Sequence, residues 1–186
     1  MKLCRSVGAA LALAICTVAH GAEWPDYGGT PDQSRFVVVK DLTKKSVSQL
    51  AVAWTYPTGD ERAYQFNPVI VDNVMYVLAK NSSLVAIDVL TRKELWIHAN
   101  LRGITNRGIN YWQSADGKDR RLLFALEDTL QAIDARTGKS ILSFGKLGFV
   151  DLKEGLGRDP LTIRRVMSST PGRIFENLLL LGSSPG

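Results

Sequence analysis

Two stretches decide the fold: Val85-Ala86-Ile87-Asp88-Val89-Leu90-Thr91-Arg92-Lys93-Glu94-Leu95-Trp96 and Leu130-Gln131-Ala132-Ile133-Asp134-Ala135-Arg136-Thr137-Gly138-Lys139-Ser140-Ile141. Ala86-Ile87-Asp88 lines up with Ala132-Ile133-Asp134, and Thr91-Arg92-Lys93 with Thr137-Gly138-Lys139. Each stretch therefore reads as a strand, a tight turn and a second strand. Ala86 and Ala132 stand 46 positions apart, inside the roughly 40 to 50 residues of one propeller blade.

Working outward, each unit is preceded by further strand candidates. Val69-Ile70-Val71 and Val74-Met75-Tyr76-Val77-Leu78 flank Asp72-Asn73 and read as a hairpin. Arg121-Leu122-Leu123-Phe124-Ala125-Leu126 fills the equivalent place in the second unit, and Asn177-Leu178-Leu179-Leu180-Leu181-Gly182 does so in a third. A unit is thus a four-stranded antiparallel sheet whose apolar faces need neighbouring sheets to cover them. The expected fold class is all-β: the N-terminal blades of a β-propeller, about two blades and the start of a third. Two units and part of a third close no ring, and a last apolar strand at an open edge is a hazard that stable proteins avoid. The expectation is the N-terminal piece of a longer propeller or a truncated gene product; a complete two-sheet sandwich is the competing architecture.

Between these units the pattern weakens. Residues 41–50 read as one short helix capped by Thr43, followed by a strand Ala51-Val52-Ala53-Trp54. Residues 100–119 and 145–165 read as loops too long for simple blade turns. Trp54 and Trp96 read as packing between blades. Asp88 and Asp134 read as turn-fixing residues, because each precedes a Thr at the same repeat position. His98 reads as a packed or surface histidine, and Asp151-Leu152-Lys153-Glu154 with Arg158-Asp159 as solvated loop.

Composition bounds the rest. The 186 residues include 45% hydrophobic side chains, 22% charged, 16 Gly and 7 Pro, which excludes collagen-like and disordered classes. Residues 1–21 carry Lys2 and Arg5 ahead of a short apolar run and end in Ala19-His20-Gly21, the pattern of a secretory signal cleaved after Gly21. That run is shorter than the roughly 20 apolar residues of a membrane span. Leu13-Ala14-Ile15-Cys16 has the outline of a lipoprotein box, against which the bulky Ile15 argues. Both cysteines, Cys4 and Cys16, leave with the signal, so an exported domain of 165 residues must hold itself together by packing. Lys2 and Arg5 are two of the 23 basic residues, so 21 remain against 18 acidic ones, scattered along the chain. Nucleic acid and anionic membrane are poor candidate partners. With His20 and His98 the only histidines, a zinc site of the usual kind is not expected.

Four motifs then occur in one order: Trp24-Pro25-Asp26-Tyr27-Gly28-Gly29-Thr30; Val47-Ser48-Gln49-Leu50 leading into Val52-Ala53-Trp54 and Thr58-Gly59-Asp60; the Ala-Ile-Asp/Thr-Gly-Lys repeat; and Asn106-Arg107-Gly108-Ile109-Asn110-Tyr111-Trp112. That order resembles the N-terminal part of the pyrroloquinoline quinone (PQQ)-dependent dehydrogenases, particularly the quinoprotein glucose dehydrogenases. The resemblance implies an eight-bladed propeller in the whole protein, with the quinone near its axis beside Ca²⁺. It also implies a periplasmic enzyme that removes hydride from a sugar or polyol carbon and passes electrons to a membrane quinone or a cytochrome. PQQ carries three carboxylates and an electrophilic carbonyl, so its pocket needs fixed cationic and neutral donors and a Lewis acid.

By resemblance, Arg107 is the cationic donor, since a planar guanidinium grips a carboxylate with two charge-assisted bonds. Gln65 stands just before Asn67-Pro68, where methanol-oxidising relatives place a Glu that contacts the cofactor; its amide can bond a carboxylate without like-charge repulsion. Ser168 and Ser184 fall in two short stretches, 168–170 and 183–186, that match family segments supplying hydroxyl and backbone contacts. Ordinary turn chemistry explains those two stretches equally well. Some positions depart from the pattern. Alcohol-oxidising members carry adjacent cysteines shortly before Asn-Arg-Gly, whereas Leu101-Arg102 stands here, which favours the sugar-oxidising type. Arg92 replaces a turn Gly, and Leu142 or Phe144 stands where a docking Trp is expected. The Ca²⁺ ligands and the catalytic Asp of relatives fall beyond the matched segment, so no catalytic or metal-binding residue is expected among these 186. The rival function is a non-catalytic propeller scaffold of the outer-membrane assembly type; a third reading is a decayed gene product.

Overall fold

The computed structural model describes residues 23–39 and 42–182, and the backbone of 184–185. The signal-like segment, including Cys4, Cys16 and His20, lies outside the described residues. Two four-stranded sheets dominate. The first runs β1 (Val69–Val71), β2 (Val74–Ala79), β3 (Ser83–Asp88) and β4 (Glu94–His98) in sequential order. The second runs β5 (Asn110–Gln113), β6 (Arg120–Leu126), β7 (Thr129–Asp134) and β8 (Phe149–Asp151) in the same order, with every neighbour antiparallel. Two short pairs follow: β9 (Val166–Met167) with β12 (Ser184–Pro185), and β10 (Arg173–Phe175) with β11 (Leu178–Leu180).

Side-chain alternation sorts the first sheet into two apolar faces. Tyr76, Leu78, Leu84 and Ala86 face the second sheet and meet Leu122, Phe124, Ile133 and Ala135 in one buried core, sealed by Leu101, Ile104 and Ile109 from the connection. Val85 and Ile87 face the other way, with Met75 and Val77, against Trp54 and Tyr56. Phe124, Leu84, Ile87 and Leu122 are among the largest fully buried side chains, each stabilising the fold by roughly 1.5 to 3 kcal/mol relative to exposure. Asp72 and Asn73 take φ of +49° and +63°, the left-handed pair that closes a two-residue hairpin with the twist of its strands.

The repeat turns are built as expected. Asp88 Oδ1 accepts from the amides of Leu90 and Thr91 at 3.0 and 2.7 Å; Asp134 Oδ1 accepts from Arg136 and Thr137 at 2.9 and 2.8 Å. The fifth turn position is left-handed in both, with φ +65° at Arg92 and +69° at Gly138. The sheets are clasped at the second of these turns. Trp96 Nε1 and the Tyr76 hydroxyl both donate to the Ala135 carbonyl, at 3.1 and 3.2 Å. The His98 ring nitrogen Nδ1 sits 2.7 Å from the Gly138 carbonyl, which can only accept, so Nδ1 carries the proton. Trp96 thus packs between blades, as read from the sequence, and His98, read as packed or on the surface, is packed there beside it. A Cβ on Gly138 would lie 2.5 Å from the Trp96 ring.

Several expectations are corrected. The helix over 41–50 shrinks to a 3-10 turn at Val47–Gln49, flanked by Ser46 without a side-chain cap. Thr43 and Ser46 instead bond each other's amides, which stabilises a turn. Val47 and Leu50 are exposed, so no apolar face drives a helix. Residues 51–54 form no strand, because no described strand offers a ladder to them; Trp54 still covers the first sheet. The long loops each contain a strand, β5 within 100–119 and β8 within 145–165. The second unit's outer strand is interrupted. Ser140 bridges Ile133, but Phe149 stands opposite Gln131, and the chain between them loops out through left-handed Gly145, Leu147 and Gly148. Leu142 is two-thirds exposed on that excursion, whereas Phe144 is half-buried.

Gly138→Ala is expected to destabilise by about 2 to 4 kcal/mol in urea unfolding, combining a left-handed alanine with overpacking against Trp96. Arg92→Gly, which removes the same backbone strain without a collision, is expected to raise the unfolding midpoint slightly. Acid should weaken the fold. Lys153 holds the Asp128 carboxyl below its ordinary range, Lys80 does so for Glu94, and the Thr91 amide for Asp88. A depressed folded-state pKa stabilises above the unfolded value and is lost as pH falls through the folded one. The thermal midpoint should therefore hold down to about pH 5 and fall between about pH 4 and 2.

Candidate functional site

Three lead-in loops, residues 65–68, 105–109 and 168–172, precede β1, β5 and β10, the first strands of three successive units. Because each sheet is an antiparallel meander of the same order, these loops fall at one end of the assembly. Hydrogen bonds to main-chain carbonyls string them together. The Asn67 amide donates to the Arg107 carbonyl at 3.0 Å. Thr105 donates its amide to Ala125 O and its hydroxyl to the Ser169 carbonyl, at 3.0 and 2.9 Å. Asn110 is buried and donates its side-chain amide to the Pro171 carbonyl.

The Trp24-Pro25-Asp26-Tyr27-Gly28-Gly29 segment lies beneath them. Trp24 forms an antiparallel bridge with Ile70 on the free edge of β1, donating and accepting at 2.9 Å, and the Gly29 amide closes a turn onto Asp26 O at 2.9 Å. The Tyr27 carbonyl accepts from Asn67 Nδ2 at 3.2 Å. A Cβ on Gly108 would lie 2.9 Å from Tyr27 Cδ2, so the glycine lets this loop settle directly on the ring. Trp24, Asn67, Pro68 and Ile70 line a hollow of about 260 Å³ at this edge.

The structure brings the four sequence-predicted residues onto neighbouring segments but gives them different surroundings. Arg107 and Gln65 are exposed, and neither side chain has a hydrogen-bond partner among the described residues. Ser168 is buried and its hydroxyl donates to Thr170 O at 2.8 Å, the local turn bond that competes with a ligand role. Ser184 pairs through its backbone with Met167, beside Ser168; its side chain lies outside the described residues. Just ahead of Gln65, the Tyr64 hydroxyl donates to Asp60 Oδ2 at 2.6 Å and holds that carboxyl below its ordinary range. The same oxygen accepts from the Asn81 amide at 2.7 Å, tying the loop to the β2–β3 turn.

Sequence reasoning missed the supports: Tyr27, Asn67, Thr105 and Asn110. Tyr27 and Asn110 were inside quoted motifs, but which backbone group each touches is a tertiary fact. Among the described residues no three His, Cys, Asp or Glu side chains cluster as a metal site. A larger groove of about 530 Å³, lined by Trp112, Leu123, Phe144, Ile174 and Leu178, lies between the second sheet and β10–β11. It is an apolar gap between units and contains none of the predicted residues.

The sequential four-stranded sheets, docked face to face with their first strands led in from one end, define blades of a β-propeller. Residues 24–186 match the PQQ glucose/ethanol/alcohol dehydrogenase, beta-propeller domain family. The chain belongs to that family. It is 28% identical over 165 residues to quinoprotein glucose dehydrogenase A of Acinetobacter calcoaceticus, covering 72% of this chain and 21% of that protein. It is 30% identical over 141 residues to the 1-butanol dehydrogenase (cytochrome c) of Thauera butanivorans, covering 70% and 20%. Among solved structures, the quinohemoprotein alcohol dehydrogenase from Comamonas testosteroni superposes with a TM-score of 0.66 at 25% identity, over 88% of this chain and 23% of that one. The chain thus spans about a fifth of the length of the curated relatives it matches.

Gly108→Val is expected to push the Tyr27 ring away and cost about 1 to 3 kcal/mol. Urea denaturation checks the stability loss, and faster protease cleavage within residues 105–109 checks that the loop has lifted.

Proposed function

We propose that this chain forms the first blades of an exported PQQ-dependent dehydrogenase that oxidises a sugar or polyol, and that residues 65–68 and 105–109 form part of its cofactor-binding wall. The observation that carries the proposal is Arg107: a guanidinium exposed at the lead-in end, unpartnered among the described residues, on a loop anchored by Asn67 and seated on Tyr27. An anchored backbone with an uncommitted planar cation suits a polycarboxylate ligand. PQQ fits this donor set, and when bound it would supply the electrophilic carbonyl that accepts the substrate's hydride equivalent.

Arg107 would bind one cofactor carboxylate bidentately, and Gln65 would donate its amide nearby. Tyr27 and Asn67 would keep the Arg107 backbone from yielding when the cation engages. Ser168 would act through its turn and backbone, since its proton is taken by Thr170 O. Ca²⁺ belongs to the proposal for the whole protein, with ligands outside the described residues. Sugar specificity rests on Leu101-Arg102 standing in place of adjacent cysteines. The proposed layout is a signal peptide over 1–21, removed in transit to the periplasm, and propeller structure over 22–186. A membrane quinone or a cytochrome is the proposed electron acceptor; relatives include enzymes named for each.

The test is titration of the full-length protein carrying this segment with PQQ and Ca²⁺, followed by glucose-dependent dye reduction. Reduction requiring both additions supports the proposal; no binding and no turnover with glucose, glycerol or simple alcohols overturns it. Arg107→Ala is expected to weaken PQQ binding by roughly 10- to 100-fold, the worth of a charged hydrogen bond. Gln65→Ala should weaken it less than tenfold.

A further inference from the structure

We infer that Asp26 and Arg173 form a positioning ion pair that ties the third lead-in loop to the turn supporting the other two; the inference rests on the PQQ reading for its functional consequence. Arg173 opens β10, directly after residues 168–172, and Asp26 lies in the turn that carries Tyr27. Arg173 Nη1 and Asp26 Oδ1 are 3.5 Å apart, with side chains only 24% and 18% exposed. Asp26 Oδ1 and both Nη atoms of Arg173 are inaccessible and have no hydrogen-bond partner among the described residues.

That combination is a poor way to gain stability. Two charges withdrawn from water need hydrogen bonds as well as proximity to recover their desolvation, and a buried pair lacking them is commonly matched or bettered by apolar residues. Two other ion pairs differ. Lys80 with Glu94 and Arg120 with Asp72 lie at 2.6 Å, make hydrogen bonds and are more exposed. What Asp26–Arg173 supplies is registry. The 26–29 turn already touches the first lead-in loop through Tyr27 O and Asn67 Nδ2, and the second through the Tyr27 ring under Gly108. The ion pair adds the third. One turn therefore contacts all three units whose lead-ins carry Gln65, Arg107 and Ser168, and loss of either charge frees that turn to shift under Arg107.

The experiment compares wild type with Arg173→Met, Asp26→Leu, the double variant and Arg173→Lys in the full-length protein, reading thermal midpoint, PQQ affinity by fluorescence quenching, and amide exchange at Asn67 and Thr105 in the cofactor-free protein. Each single apolar variant should lower the midpoint by leaving a lone buried charge. The double variant should recover the midpoint yet bind PQQ about tenfold more weakly, the scale of a lost supporting contact, and exchange those amides faster. Arg173→Lys should restore part of the affinity. Lys80→Met/Glu94→Gln, with Lys80 in the β2–β3 turn and Glu94 at the start of β4, serves as a control that moves the midpoint alone. Wild-type affinity and wild-type exchange in the double variant overturn the inference. A wild type that does not bind PQQ overturns the functional reading instead, and the exchange comparison still decides whether the pair positions the loops.

Discussion

Everything in the molecule leans on the contact between the sheet of one blade and the repeat turn of the next. Tyr76, Trp96 and His98 aim their donors at just two carbonyls, those of Ala135 and Gly138. Those carbonyls are available because Asp134 has already folded its turn, satisfying the amides of Arg136 and Thr137 and turning the peptide oxygens outward. The turn must also be thin, since the Trp96 ring lies where a side chain on Gly138 would begin. A local aspartate turn thereby becomes the docking surface for a neighbouring sheet, and the apolar core of Leu84, Leu122, Phe124 and Ile133 is the area which that docking removes from water.

The same logic explains which parts of the fold were legible. Ala-Ile-Asp followed by a Thr-x-Lys turn encodes strand, turn and strand within a dozen residues, so the repeat and its aspartates could be read without knowledge of any partner. The chain before Thr58 could not. Its apolar residues alternate well enough to suggest a helix and a strand, yet a helix needs a face to bury and a strand needs a ladder, and neither is offered to residues 42–54 by the described structure. The excursion between Ser140 and Phe149 was hidden for a related reason. Ile141 and Leu142 continue the strand pattern, but left-handed Gly145, Leu147 and Gly148 turn the chain out and hand the pairing opposite Gln131 to Phe149.

The site was legible only in part, and by resemblance more than by local chemistry. An exposed arginine or glutamine looks the same in sequence whether it waits for a ligand or faces bulk water. What separates Arg107 from Arg136 is the backbone beneath it and the company of its guanidinium. Arg136 donates to the carbonyls of Lys118 and Gly117, holding a neighbouring hairpin turn, whereas Arg107 has no such commitment among the described residues. Ser168 shows the reverse: a matching residue whose hydroxyl the fold has already taken.

The placing of the proposed ligand-facing groups at strand lead-ins also follows from the meander. Within a blade, most consecutive strands are joined by turns of a few residues whose conformation is fixed by strand pairing, as at Asp72-Asn73. Apart from the 140–149 excursion of the second sheet, the long connections run between blades, and each must cross the end of the assembly to reach the next first strand. Its backbone polar groups still need partners, and they find them on adjacent connections: Asn67 on Arg107, Thr105 on Ser169. The bonds that satisfy these loops are therefore the same bonds that bring their side chains together. A propeller of this kind gathers its lead-in loops as a by-product of accounting for its inter-blade backbone, and substitutions in the supports Tyr27, Asn67 and Thr105 would act on the proposed site through those loops.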